Sequence, residues 1–155
     1  MKKLCFVTGI FLFLSLGPIL TVLAQSPYEK YLTGADIEKA TGMKGIKRIP
    51  RGSAAGAGGD LNFTDASGEP ILMIQFADVI SFTAFKSKYA KGAVSGVGDQ
   101  AIQGGSMPGM ADNLLAFTKG MHCVVLTAFG DFINKKVYLT VDQLTALGKL
   151  IASRL

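Results

Sequence analysis

Two apolar runs joined at Lys119-Gly120 constrain the fold of this chain more than any other stretch. They extend from Leu114 to Phe129 and read LLAFTKGMHCVVLTAF. Short apolar runs on both sides of a glycine turn predict a β-hairpin, and we expect it at the centre of a packed sheet because both faces of its strands are apolar. The same stretch contains His122, the only histidine, and Cys123.

A second hairpin is predicted earlier in the chain. Asp60 to Thr64 alternates between polar and apolar residues, and Ile71 to Asp78 is apolar on both faces. Asp65 to Gly68 forms the turn between them. The two hairpins resemble each other, since Leu61-Asn62-Phe63-Thr64 matches Leu115-Ala116-Phe117-Thr118 and a turn and an apolar strand follow in both. This internal repeat predicts a duplicated unit of one helix and a β-meander.

Three helices are predicted from a capping residue followed by apolar residues at helical spacing. They begin at Thr33, Ser81 and Thr140 and end at Gly42, Gly92 and the C-terminus. The last is amphipathic, with the stripe Val141, Leu144, Leu147, Ile151 and Leu155. Gln25 to Leu32 is expected to be a partly ordered lead-in. The expected fold is therefore α+β, with an antiparallel sheet of about five to six strands from two helix-plus-meander units, covered by helices.

The N-terminus has the pattern of a secretory signal peptide. A short basic segment, Met1 to Lys3, precedes the charge-free apolar run Leu4 to Ala24, and small residues precede a cut after Ala24. We expect residues 1–24 to be a signal peptide and residues 25–155 to be a single periplasmic or secreted domain. The alternative is an uncleaved segment that anchors the chain in a membrane. Cys5 lies before the apolar run, so no lipid anchor is expected.

Charge gives little indication of the partner. The net charge of +5 falls to +3 when Lys2 and Lys3 leave with the signal peptide, and export makes nucleic acid a poor partner. One basic edge remains as a candidate partner-binding surface for an acidic protein or an anionic membrane. Its residues are Lys44, Lys47, Arg48 and Arg51. A solvated edge strand that resists aggregation is the alternative interpretation of these four side chains.

No catalytic or nucleotide-binding motif is found. His122 and Cys123 are neighbours in a predicted strand, so their side chains point to opposite faces and cannot act as a local pair. The glycine runs are not followed by Gly-Lys-Ser/Thr, and no Gly-x-Ser-x-Gly elbow is present. We therefore expect no enzyme activity and no cofactor. A carboxylate-dependent enzyme is the alternative, and it requires two of Asp60, Asp65, Asp78, Asp99, Asp112 and Asp131 to meet in a pocket.

A soft-metal site is a further alternative function. Met107 and Met110 supply two thioethers, and either His122 or Cys123 completes a set that suits Cu(I). Strand alternation places Met121 and Cys123 on one face and His122 on the other, so only one of the two sets can assemble. Methionines that fill the core are the simpler interpretation. A lone buried thiol is also the expected state of Cys123.

Several short segments carry a resemblance to a class of proteins. They are Gly58 to Phe63, Gly96 to Ala101, Phe117 to Gly120 and Leu147 to Leu155. Together they resemble small exported or lipid-anchored bacterial domains of uncharacterised function. The resemblance implies no catalytic residue, and the chain departs from lipid-anchored members because it has no cysteine at the predicted cleavage site.

The leading hypothesis from the sequence is a non-enzymatic, exported α+β domain that binds a protein or a small ligand. The predicted binding surface is the glycine-rich side of the domain, at Gly52 to Gly59 and Gly104 to Met110, with the basic edge beside it. Contact with a membrane is expected only through the N-terminal segment, if that segment is not cleaved.

Overall fold

The computed structural model describes residues 26–50, 59–105, 113–131 and 136–155. The predicted signal peptide, residues 1–24, lies outside the described residues. So do Arg51, most of the first glycine-rich loop, the pair Met107 and Met110, and Asp112. Within the described residues the fold is α+β, with one antiparallel sheet of seven strands and three helices.

Nine strands and three helices follow one another along the described chain. The helices are α1 (Gly34–Thr41), α2 (Val79–Tyr89) and α3 (Val141–Arg154). The strands of the large sheet are β1 (Lys47–Ile49), β2 (Leu61–Thr64), β3 (Pro70–Asp78), β4 (Ala90–Ala93), β5 (Gln100–Gly104), β6 (Asn113–Lys119) and β7 (His122–Ala128). A separate two-stranded pair consists of β8 (Gly130–Asp131) and β9 (Lys136–Val137).

The predicted central hairpin is confirmed. The strand order is β1-β2-β3-β7-β6-β5-β4, so β7 is the middle strand and β6 is its neighbour. The β2–β3 and β6–β7 hairpins have matching registers. Leu61 pairs with Ile74 in the first hairpin, and Leu115 pairs with Leu126 in the second. The last strands of the two hairpins, β3 and β7, pair with each other and join the two halves of the sheet.

One face of the sheet, which we call the α1/α3 face, packs against α1 and α3. Its buried side chains include Leu61, Phe63, Ile74, Leu115, Phe117 and Leu126, together with Ile37 of α1 and Leu144, Leu147 and Ile151 of α3. Both helices begin with the expected capping box, at Thr33 with Asp36 and at Thr140 with Gln143. Gly42 ends α1 as predicted. Arg154 joins the helices by donating to both carboxylate oxygens of Asp36, at 2.7 and 2.9 Å.

The opposite face, which we call the α2 face, is covered by α2 on one half. Phe82 of α2 is buried against five side chains of β5, β6 and β7, and Phe85 packs at the edge of the same cluster. The five are Ile102, Leu114, Ala116, Cys123 and Val125. Cys123 is buried, as expected. Among the described residues, no helix is long and apolar enough to span a bilayer.

The structure differs from the sequence prediction at α2 and in the number of strands. The side chain of Asp78, not Ser81, caps α2 by accepting from the backbone N–H of Ser81 at 3.1 Å. The helix ends at Tyr89 instead of Gly92, because Ala90–Ala93 pairs with the edge of β5. With the three-residue edge strand β1, this pairing raises the described sheet to seven strands, one or two more than predicted.

Candidate functional site

A cleft of about 420 Å³ lies where β3 ends and β7 begins. Asp78 and His122 are paired residues at this end of the two strands. The backbone N–H of Val79 donates to the carbonyl of Met121 at 3.0 Å, which fixes the start of α2 against the β6–β7 turn. The lining residues are Tyr28, Phe76, Ala77, Asp78, Met121 and His122.

One wall of the cleft is aromatic. The rings of Tyr28 and Phe76 stack with centroids 4.3 Å apart and planes 6° from parallel, and Tyr31 lies 5.5 Å from Phe76. The segment that carries the two tyrosines forms a turn with Leu32 buried beneath it, so it is packed on the sheet and is not the partly ordered lead-in that we expected. Flat, partly exposed rings of this kind contribute large contact area to binding sites.

The opposite wall is polar. Oδ1 of Asp78 accepts from the N–H and the hydroxyl of Ser81, at 3.1 and 3.2 Å, and this capping interaction holds the carboxylate at the rim of the cleft. His122 is exposed beside it. The cleft therefore presents one carboxylate and one imidazole next to the stacked rings, an arrangement suited to holding a ligand group with both a hydrogen-bond donor and an apolar surface.

Exposed apolar side chains extend the cleft outwards. Ile80 and Met121 are 78% and 74% exposed, and they are the only large apolar side chains so exposed in the part of the chain that the structure describes. They lie at the same end of the sheet, because Ile80 follows Val79, which is bonded to Met121. An exposed apolar patch with a polar rim is characteristic of an interaction surface.

The candidate metal ligands are only partly brought together. Met107 and Met110 lie outside the described residues. Met121 belongs to the β6–β7 turn and not to β7, so the strand alternation assumed from the sequence does not apply to it, and it lines the same cleft as His122. The prediction that these two side chains point to opposite faces is therefore wrong. Among the described residues, no three His, Cys, Asp or Glu side chains are grouped to hold a metal ion.

Cys123 does not contribute to the cleft. It is completely buried under α2, and burial, with the charge of Asp78 as a smaller cause, raises the pKa of its thiol to about 11. Thiolates are the form that reacts and binds metal, so this cysteine is a core residue.

The candidate basic edge is divided by its own strand. Lys47 pairs with Thr64 and Arg48 pairs with Phe63, so consecutive side chains of β1 point to opposite faces. Arg48 forms an ion pair with Glu29 at 2.6 Å. Lys44 and Lys47 are exposed, and Arg51 lies outside the described residues. The described members do not form a single patch.

Four of the six candidate aspartates accept backbone hydrogen bonds in caps and turns. Asp60 accepts from Phe76, Asp65 from Ser67 and Glu69, Asp78 from Ser81 and Asp99 from Gly120. The hydroxyl of Ser67 lowers the pKa of Asp65, and the N–H of Gly120 lowers the pKa of Asp99. Asp131 lies in β8, and Asp112 is outside the described residues. These contacts are structural and do not form a carboxylate pair.

The glycine-rich side is described only at its ends. Gly59, Gly104 and Gly105 are buried, and the remaining residues of the two predicted loops lie outside the described chain. The aromatic wall of the cleft was missed in the sequence because it joins residues far apart in the chain. The only local signal was two tyrosines, Tyr28 and Tyr31, one helical turn apart.

Comparison with protein-family models, with curated proteins and with solved structures finds no match to this chain. The functional argument therefore depends on the geometry of the cleft and on the chemistry of its side chains.

Proposed function

We propose that this chain is a non-enzymatic, exported binding domain and that the cleft between Tyr28 and His122 is its recognition site. The observation that carries the proposal is the exposure of Ile80 and Met121 beside the stacked rings of Tyr28 and Phe76. Keeping two large apolar side chains in water is unfavourable unless another molecule covers them.

A protein partner fits this surface better than a small ligand. The cleft volume of about 420 Å³ accommodates one or two side chains, whereas Ile80 and Met121 extend the patch beyond the cleft. Only a molecule large enough to reach the rim would cover both. The aromatic wall and the carboxylate of Asp78 favour a partner that inserts an apolar or aromatic side chain with a basic residue beside it.

A capture experiment with matched variants tests the proposal. The chain lacking residues 1–24 is immobilised and exposed to an extract of its host's secreted or periplasmic proteins, and retained proteins are identified by mass spectrometry. We expect a partner that the unaltered chain retains, that the double variant Ile80→Ser/Met121→Gln does not retain, and that Lys44→Gln/Lys47→Gln still retains.

Two results would contradict this function. Retention lost only in the lysine variant would assign recognition to the basic edge instead. Robust turnover of an ester, a peptide or a glycoside by the purified chain would identify an enzyme, and a carboxylate mechanism using the candidate aspartates would then be the first to test.

A soft-metal carrier is the second candidate function. The specific observation in its favour is that Met121 and His122 line one cleft. Met107 and Met110 would supply the further thioethers that Cu(I) prefers. A Cu(I) titration should show weaker binding in Met107→Ala/Met110→Ala and in His122→Ala than in the unaltered chain; equal affinity in all three removes this candidate.

We also infer that residues 25–155 form one domain that arose by duplication of a helix-plus-meander unit. The matching registers of the two hairpins support this. So does the pairing of Ile74 with Leu126, because these residues occupy equivalent positions and a two-fold relation between the units requires them to meet. The signal-peptide pattern and the resemblance to small exported bacterial domains support export.

A further inference from the structure

The α2 face of the sheet is apolar on one half and polar on the other. On the half formed by β5, β6 and β7, apolar side chains pack under Phe82 of α2. On the half formed by β2 and β3, the same face carries Asn62 and Met73. Ala116 and Val125 are the pair at the matching register position in the β6–β7 hairpin. An amide has thus taken the position that alanine occupies in the other half.

Three side chains of this face form a row across neighbouring strands. Asn62 of β2 pairs with Met73 of β3, and Met73 pairs with Thr127 of β7. Their exposed fractions are 3%, 8% and 0%, so the whole row is shielded from bulk water. Paired residues on adjacent strands project from the same face, which places the amide and the hydroxyl on either side of the Met73 thioether.

Two polar atoms in this row have no hydrogen-bond partner among the described residues. They are Oδ1 of Asn62 and Oγ1 of Thr127. The amide orientation is fixed because Nδ2 of Asn62 donates to the carbonyl of Gly59 at 3.2 Å, which leaves Oδ1 as the unpaired acceptor. Buried polar atoms are nearly always paired in folded proteins, so two orphans in one row call for a partner from outside the described chain.

Gly59 allows the row to form. A Cβ atom at this position would lie 2.9 Å from the carbonyl oxygen of Ile74 and 3.2 Å from the sulfur of Met73, closer than such atoms normally approach. The absence of a side chain lets Met73 lie against the backbone and lets Asn62 reach the Gly59 carbonyl.

We propose that Asn62, Met73 and Thr127 bind a small neutral molecule that has a hydrogen-bonding group at each end and an apolar middle. The polar groups of the row are an amide, a hydroxyl and a thioether, and none of them ionises, so a charged ligand would be buried without a counter-charge. Asn62 and Thr127 are two strand spacings apart, about 10 Å between backbones. The apolar middle of the molecule lies over Met73, and its donor group reaches Oδ1 of Asn62. This site is separate from the cleft and does not depend on the function proposed for it.

Titration of the purified full chain with 1,6-hexanediol, followed by two-dimensional NMR, tests the site. Its hydroxyl groups, about two strand spacings apart when the chain is extended, match the two orphan atoms. We expect shifts at the β2, β3 and β7 amides around the row, and weaker binding of 1-hexanol, which has one hydroxyl. Thr127→Val, which keeps the side-chain shape, should weaken diol binding by about fivefold or more, as loss of one buried hydrogen bond predicts.

Two further variants complete the test. Asn62→Leu should also weaken diol binding, whereas Thr118→Val, a buried threonine of the same face in the row of Cys123, should leave it unchanged. Equal affinity in Thr127→Val and the unaltered chain overturns the proposal. A crystal soaked in the diol that shows only ordered water at the two orphan atoms overturns it as well.

Discussion

The β2–β3 and β6–β7 hairpins have the same register but different surroundings on one face. On the α1/α3 face both present buried apolar residues, Leu61 and Phe63 in one hairpin and Leu115 and Phe117 in the other. On the α2 face, β6–β7 packs under a helix, whereas β2–β3 carries the row that contains Asn62. The shared face accounts for the fold, and the face that differs is where the two halves have become specialised.

The comparison also explains where the cleft lies. β3 continues directly into α2, and the helix start is bonded to the β6–β7 turn, so the junction of the two hairpins is where Asp78, Met121 and His122 meet. An ordered core on both sides holds these side chains in place. The four predictions that follow test the comparison from the largest expected effect to the smallest.

Loss of the α2 anchor should affect the molecule most. Phe82 is 5% exposed and fills the centre of the cluster under α2, so Phe82→Ala should lower the free energy of unfolding by about 3–4 kcal/mol. Phe85→Ala is the matched control on the same helix and should cost less, because Phe85 is only partly buried. Urea denaturation followed by circular dichroism measures both. Equal losses would mean that α2 does not depend on this anchor.

Exchanging the residues at the matched position should have unequal effects. Ala116→Asn places an amide in the cluster under α2, and we expect it to lower the free energy of unfolding by about 2–3 kcal/mol. The reciprocal change, Asn62→Ala, loses one hydrogen bond but also removes the unpaired oxygen, so it should cost about 1 kcal/mol or less. Similar losses in the two variants, measured by the same denaturation, would contradict a specialised β2–β3 half.

The ion pair that joins α1 to α3 should make stability depend on acid. The hydrogen bond from Arg154 holds the pKa of Asp36 well below its ordinary value of 3.8. A depressed folded-state pKa stabilises the fold above the unfolded-state pKa, and the stabilisation is lost as the pH falls below about 4. Asp36→Asn should cost about 1–2 kcal/mol at pH 7. Its deficit relative to the unaltered chain should shrink on acidification, and a deficit that stays constant from pH 7 to pH 2 would refute this role.

The turns of the two hairpins should show the smallest difference. Asp65 holds its own turn, whereas Asp99, which precedes β5, reaches the β6–β7 turn and accepts from Gly120 at 2.8 Å and from Lys119 at 3.3 Å. Asp99→Ala should speed hydrogen exchange at the Gly120 amide with only a minor change in global stability. Asp65→Ala should leave exchange at Gly120 unchanged. Unaltered exchange in Asp99→Ala would show that the turn does not need this contact.

Local signals in the sequence were enough for most of the fold. The hairpins followed from apolar runs around turns, and α1 and α3 followed from caps at Thr33 and Thr140. The β4 strand could not be predicted in this way, because Ala90 to Ala93 has few apolar residues and becomes a strand only by pairing with β5. Tertiary pairing, not local propensity, determined that element.

The candidate site was less accessible to sequence reasoning. His122 was singled out, but the side chains around it were not, since Tyr28 and Phe76 are distant in sequence and meet only in the folded chain. Met121 was assigned to a strand because the apolar run continues through it, and one turn residue changed the direction of its side chain. The orphan atoms of Asn62 and Thr127 depend on cross-strand register, which the sequence alone did not define.

Photo-crosslinking from two positions tests the recognition surface most directly. A photoreactive amino acid is placed at position 121, beside the cleft, or at position 44, on the candidate basic edge, and the chain is irradiated in its own host. We predict a crosslinked partner from position 121 that is absent from position 44 and that is lost when Ile80→Ser is added. A partner crosslinked only from position 44 would contradict the assignment of recognition to the cleft.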